Sequence, residues 1–264
     1  MSDLEPIFAR RGGAYAPSGH ARGPWDPGAQ HGGAPAALLA REIERLDPGP
    51  AMIVARITYE FLAPVPLAPL VPAARVVRPG RRFQLVEAEL GCGGETVLRA
   101  RAVRLRRGNV DLPAHALPAV PAPETPPEAC RPTQYPPDGP ADGFHRTGME
   151  LRFAPGFDWG KGPGRGWFRL TRPLVDGEEP SALQRLVATA DFGNGVSRLL
   201  EFDEYLFVNT DLTVHAFREP LGEWIFLDAE SLLDTTGVGL ATSTLFDEDG
   251  VVGIAAQSLL VERR

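Results

Sequence analysis

Residues 52–65, MIVARITYEFLAPV, and residues 203–217, DEYLFVNTDLTVHAF, carry one pattern twice at an offset of 155 positions. Ile57, Tyr59 and Phe61 form an apolar row, and Leu212, Val214 and Ala216 repeat it. On the opposite face Arg56, Thr58 and Glu60 match Asp211, Thr213 and His215. Apolar residues at period two read as half-buried strands. A helical run precedes each copy. The first is APAALLAREIERL (34–46), where Leu38, Leu39, Ile43 and Leu46 recur at helical spacing and Pro48-Gly49 ends the run. The second is SALQRLVATADF (181–192), which starts just after Pro180. Three more strand-like runs follow each copy: 70–78, 82–91 and 95–107 in the first half, 223–235, 238–246 and 251–264 in the second. In the last hairpins Gly94 is matched to Gly250, which sets Arg101 opposite Gln257. One helix followed by four strands, twice, predicts an internally duplicated α+β protein.

Ten prolines fall between Pro113 and Pro140. Each removes a backbone donor and fixes φ, so no helix or central strand survives that density. The segment predicts an extended connector. The expected organisation is therefore an N-terminal unit 1–108, a connector 109–145 and a C-terminal unit 146–264, the last opening with candidate strands at 149–154 and 166–175.

The 264 residues are 43% hydrophobic and 23% charged, ordinary values for a folded globular chain. Net charge is −7, with residues 1–108 basic and the remainder acidic. An acidic protein without aromatic–basic interleaving argues against a nucleic-acid partner. No run of 18 apolar residues exists, and the N-terminal MSDLEPIFARRGG lacks an apolar core, so neither a membrane helix nor a signal peptide is expected. Cys92 and Cys130 have dissimilar surroundings and read as free thiols of a cytoplasmic protein. His20, His115, His145 and His215 form no ligand pair, so no metal site is expected.

Four stretches in order, HGGAPAALLARE, TADFGN, NTDLTVHAFREP and AAQSLLVE, resemble those of the TesB-type acyl-CoA thioesterases and their bacterial thioesterase-like relatives. The resemblance covers nearly the whole chain outside the connector. It implies a double hot-dog: two bent antiparallel sheets, each wrapping a central helix, in one chain. It also implies an acyl-CoA substrate, no cofactor, and a further dimer of chains. The family holds a water with a dispersed Asp, Thr/Ser and Gln. Asp191, in Thr189-Ala190-Asp191, matches the family Asp, and Gln257 matches the Gln. Anchoring on Asp211 and Arg218 puts Asn209 where the family has Thr/Ser, a departure from the pattern. A one-residue slip would substitute Thr210, but Thr210 shares the apolar row of Leu212 and Val214. The spacing from Gly250 to Gln257 is one residue short, which a turn or a bulge must absorb.

The chemistry is coherent in its own terms. A thioester carbonyl is electrophilic, a carboxylate accepts a proton from attacking water, and amides fix that water. The developing oxyanion needs backbone donors, which Gly32-Gly33 at a helix start can supply; His31 shapes that start. Each residue also has a plainer role. Asp191 precedes Phe-Gly-Asn-Gly and could simply end its helix, and Gly32-Gly33 could simply permit close packing. Gln257 lies on an otherwise apolar row, where a buried amide needs partners. Two other functions stand beside hydrolysis: a non-catalytic acyl-binding protein, and an enoyl-CoA hydratase using Asp26 and His31. The hydratase motif's intervening Asn and Pro are missing from their positions. The arginines at 75, 78, 81 and 82 and the run RARAVRLRR read as a solvated face, with coenzyme A phosphates as the alternative. Gly160 to Gly166 reads as a loose hairpin loop.

Overall fold

A computed structural model describes residues 4–46, 51–117, 121–133, 141–157 and 161–264. The proposed helix stop Pro48-Gly49, Gly160 and parts of the Pro-rich connector lie outside these residues.

The chain opens with a hairpin, β1 (Phe8–Arg11) and β2 (Ala14–Pro17), too short for period-two alternation to mark it in the sequence. Then come α1 (Gly33–Arg45), β3 (Met52–Phe61), β4 (Val71–Arg78), β5 (Phe83–Cys92) and β6 (Glu95–Arg106). Inside the connector, Arg131–Pro132 forms β7, an edge strand, where proline is tolerated. The second half continues with β8 (Met149–Phe153), β9 (Gly164–Leu170), α2 (Ala182–Ala190) and the short α3 (Gly193–Val196). It ends with β10 (Tyr205–Asn209), β11 (Asp211–Ala216), β12 (Ile225–Leu233), β13 (Val238–Asp247) and β14 (Gly250–Arg263).

The strands β3 to β14 form one twelve-stranded antiparallel sheet in the order β4-β5-β6-β3-β11-β14-β13-β12-β9-β8-β7, with β10 also on β14. The two halves are thus joined edge to edge at β3 and β11, so neither leaves an open edge there. Each helix lies on the sheet of its own half, and the two helices pack against one another. This arrangement explains the burial of α1 on nearly every side: Gly33 through Arg41 and Ile43 are all buried. Small alanines along it allow close approach of sheet and partner helix. The architecture is an α+β double hot-dog.

The offset of 155 holds through the strands and through two of their irregularities, whereas the β4 bulge at Val77 has no counterpart in β12. Bulges fall at Ala55 and Thr210, and at Val97 and Val252. The match of Gly94 to Gly250 does not hold. The β5–β6 turn is Gly93-Gly94, whereas the β13–β14 turn is Glu248-Asp249, with Gly250 one position later. The residue equivalent to Gln257 is therefore Ala102, and Arg101 answers Ala256. Burial agrees: Ala102 and Gln257 both point inward, and Arg101 is exposed.

Candidate active site

Ser181 starts α2 by accepting the Gln184 N–H at 3.1 Å, and Asp191 ends it. The Asp191 side chain does not cap its own helix. It crosses to the start of α1, where its Oδ2 lies 3.0 Å from His31 Nδ1. Oδ1 accepts from Asn209 Nδ2 at 2.9 Å and from Gln257 Nε2 at 3.2 Å. The carboxylate, buried at 6% exposure, so gathers His31, Asn209 and Gln257. Removing a carboxylate from water is costly, and three donors around it offset that cost.

Each donor is fixed by its own element. The bulge between β10 and β11 turns Asn209 inward and Thr210 out to solvent, where its N–H donates to the Ser258 carbonyl at 3.0 Å. The strand break thus removes Thr210 from the row of Leu212 and Val214 and leaves Asn209 at the site. Gln257 sits on β14 at 2% exposure. Its Oε1 accepts the Asn194 N–H at 3.0 Å, and its Nε2 reaches the Asp191 carbonyl at 3.3 Å as well as the carboxylate. Both amides therefore hold Asp191.

The segment Phe192-Gly193-Asn194-Gly195, legible in the sequence only as a helix end, supplies the rest of the support. A Cβ at Gly193 would lie 2.6 Å from Ser243 Oγ and 3.0 Å from Gln257 Oε1, so glycine is what admits the Gln257 amide. Asn194 also donates to the Phe207 carbonyl at 2.8 Å. The Phe192 ring stacks on His31 at 4.4 Å, and Phe144 lies 5.2 Å from it.

Gly32 and Gly33 meet the same carboxylate from the other side. A Cβ on Gly32 would lie 2.9 Å from Asp191 Oδ2 and from Phe61 Cζ. On Gly33 it would lie 2.8 Å from the Ala188 carbonyl oxygen. The two glycines bring one helix start against the other helix's end. The Gly33 N–H points at His31 Nδ1, 3.2 Å away. The Gly32 N–H has no hydrogen-bond partner among the described residues. Behind His31 lies His145, whose imidazole is pushed down to about 3 by burial, reinforced by His31 and Arg146.

The Asp26–His31 pairing is not formed. Asp26 lies in an exposed turn and accepts the Gly28 N–H at 2.7 Å, and the carboxylate beside His31 is Asp191. The arginines of the first half also find their places. Arg75 and Arg101 both pair with Glu87 on the exposed face, whereas Arg104 is buried and donates to the carbonyls of Ile43 and Leu46 at the end of α1. The two guanidinium groups hold the Glu87 carboxyl below the usual range, Arg101 most strongly.

The internal twofold supplies a second location of the same kind, at the end of α1 and the start of α2. There Val54 and Ala102 stand in place of Asn209 and Gln257. The carboxylate is Glu44, which accepts from Ser181 Oγ at 2.7 Å and Gln184 Nε2 at 3.0 Å. Burial raises its pKa. A cavity of about 190 Å³ adjoins it, walled by Ile53, Val54, Leu183 and Leu186.

Comparison with known proteins agrees with this architecture. The family model for the acyl-CoA thioesterase N-terminal domain matches residues 21–105, and that for the C-terminal domain matches residues 127–261. No curated protein matches the sequence. Among solved structures, a candidate thioesterase from Novosphingobium aromaticivorans superposes with a TM-score of 0.70 at 22% identity, covering 97% of this chain and 99% of that one. A hot-dog protein of unknown function from Alicyclobacillus acidocaldarius gives 0.70 at 20% identity, covering 97% and 95%. The acyl-CoA thioesterase II TesB2 of Mycobacterium marinum gives 0.63 at 19% identity, covering 100% and 96%. These structural likenesses establish the fold, and the two domain matches, in chain order and spanning most of the sequence, establish the lineage: the protein belongs to the acyl-CoA thioesterase family.

Proposed function

We propose that the protein hydrolyses an acyl-CoA thioester to the free acid and coenzyme A, at the site centred on Asp191. One observation carries this reading: a buried carboxylate is held by Asn209, Gln257 and His31 where the end of α2 meets the start of α1. A fold alone does not fix an activity, but a buried carboxylate with this escort is expensive to keep without a use for it. The site needs only water and the thioester as reactants. An amide-held carboxylate beside an imidazole supplies a place for the proton that water loses on attack. The α1 N-terminus supplies positive potential and backbone N–H groups for the oxyanion that develops on the carbonyl. No helix among the described residues is long and apolar enough to cross a membrane. A substrate met in the cytoplasm, with coenzyme A as its carrier, fits this reading, as do the two free thiols Cys92 and Cys130.

The test is turnover of purified protein on a panel of acyl-CoA substrates, read by thiol release. Thiol release above the uncatalysed rate supports hydrolysis. Binding without release makes the protein an acyl-CoA binder. Water addition to an enoyl-CoA, without thiol release, makes it a hydratase.

A further inference from the structure

His31 has a role to fill beyond shaping a helix start. Its ring is held on three sides: by Asp191 Oδ2 at Nδ1, by the face of Phe192, and by Phe144. Its side chain keeps 12% exposure, and Nε2 has no hydrogen-bond partner among the described residues. Asp191, by contrast, has donors on both oxygens, two on Oδ1 and one on Oδ2. Nδ1 also faces two groups that cannot both be satisfied by one tautomer. With a proton it donates to Asp191, and without one it accepts from Gly33 N–H. A facing carboxylate selects the Nδ1–H form, which leaves Nε2 as the open acceptor of the imidazole.

We propose that His31 Nε2 is the proton acceptor of the hydrolysis, that Asp191 orients it, and that Asn209 and Gln257 act by positioning Asp191. This rests on the thioesterase reading above. Nε2 takes a proton from water as the water oxygen bonds to the thioester carbonyl carbon. The carbonyl oxygen becomes the oxyanion beside the Gly32 and Gly33 N–H groups. The second of these is released because Nδ1 carries its proton toward Asp191. The C–S bond then breaks as the carbonyl re-forms, and the proton on Nε2 passes to the departing sulfur. The products are the acid, which keeps the other water proton, and the coenzyme A thiol. No oxidant, metal or second nucleophile enters the balance.

The experiment uses the full chain and the best substrate of the thiol-release panel. His31→Ala and His31→Gln are compared with wild type, with circular dichroism to establish equal folding; the glutamine variant serves if the alanine cavity prevents folding. The expected result is a loss of kcat of about 10²–10⁴-fold with KM within a few-fold. Added imidazole is expected to restore part of the His31→Ala rate, saturably, and none of the Asp191→Asn rate. A folded His31→Gln enzyme within a few-fold of wild-type kcat overturns the proposal and makes Asp191 Oδ2 the acceptor. So does loss of activity that imidazole never restores, which makes His31 a positioning residue. A wild-type protein that releases no thiol from any substrate overturns the thioesterase reading itself, an outcome distinct from either.

Discussion

Thr58 and Thr213 lie directly opposite one another in the β3–β11 pairing, their hydroxyl oxygens 3.2 Å apart, and each is the other's counterpart at the offset of 155 residues. The internal twofold passes between them. The flanking pairs obey it as well: Ile57 faces Val214, and Tyr59 faces Leu212. The seam between the halves is therefore a self-complementary strand edge, the geometry by which two identical subunits would pair.

That seam predicts the behaviour of the isolated first half. A fragment of residues 1–108 would expose the backbone donors and acceptors of β3 along with the face of α1 that packs on α2. It is expected to aggregate or to pair with itself, with no cooperative monomeric melt. Size-exclusion chromatography and thermal denaturation check this, and a monodisperse monomer with a sharp transition would count against it.

Asp191→Asn preserves size and most hydrogen bonding but removes the charge that orients His31. Turnover is expected to fall by about 10²–10⁴-fold while the fold and acyl-CoA binding persist. Gln257→Ala removes one of three donors and leaves the Asn194 N–H without its acceptor, so a smaller rate loss and a stability loss of about 1–3 kcal/mol are expected. Parallel kinetics and chemical denaturation separate the two effects.

One catalytic centre per chain is expected, because Val54 and Ala102 cannot hold a carboxylate as Asn209 and Gln257 do. A non-hydrolysable acyl-CoA analogue should abolish turnover at one equivalent per chain. Glu44→Gln should leave kcat unchanged, since the Glu44 carboxylate is spent on Ser181 and Gln184. Loss of most activity in Glu44→Gln would show that the second location takes part.

Gly32 and Gly33 should fail differently. Alanine at 32 pushes against Asp191 Oδ2 and Phe61, so kcat should fall at least about tenfold with little change in melting temperature. Alanine at 33 meets the Ala188 backbone carbonyl, which cannot swing aside, so a stability loss of about 1–3 kcal/mol should dominate. Identical profiles for the two variants would contradict the geometry.

Acid should destabilise the protein through His145. The unfolded imidazole binds a proton below its ordinary 6.5, whereas in the folded protein it does so only near 3. Unfolding therefore takes up a proton in that window, and stability falls as pH falls. From pH 6.5 to 5 this group accounts for about 2 kcal/mol, at 1.36 kcal/mol per unit. His20, lowered mainly by its burial and then by Arg172, has the same sign; Glu44, raised by burial, has the opposite one. Denaturant titrations of wild type and His145→Gln should therefore converge as pH is lowered across this range. Parallel curves would show that His145 does not titrate on unfolding.

The sequence by itself determined the duplication, the α+β class and most of the strands, because period-two alternation and helical spacing are written in neighbouring residues. The resemblance to the thioesterase family pointed to Asp191, Asn209 and Gln257, and of these Gln257 also stood out by pattern, a polar residue on an otherwise apolar row. The last-hairpin register was misaligned because a glycine marks both turns while occupying different positions: Gly93 and Gly94 form one turn at φ of 62° and 93°, and Gly250 follows the other at 131°. Only the tertiary structure decided what Asp191 touches. His31 and Asp191 meet because β3 pairs with β11 and the two helices dock end against start, and nothing local to either residue encodes that crossing. The roles of Gly193 and Asn194 were hidden for the same reason: the amide they receive comes from β14, and only the closed fold brings it there.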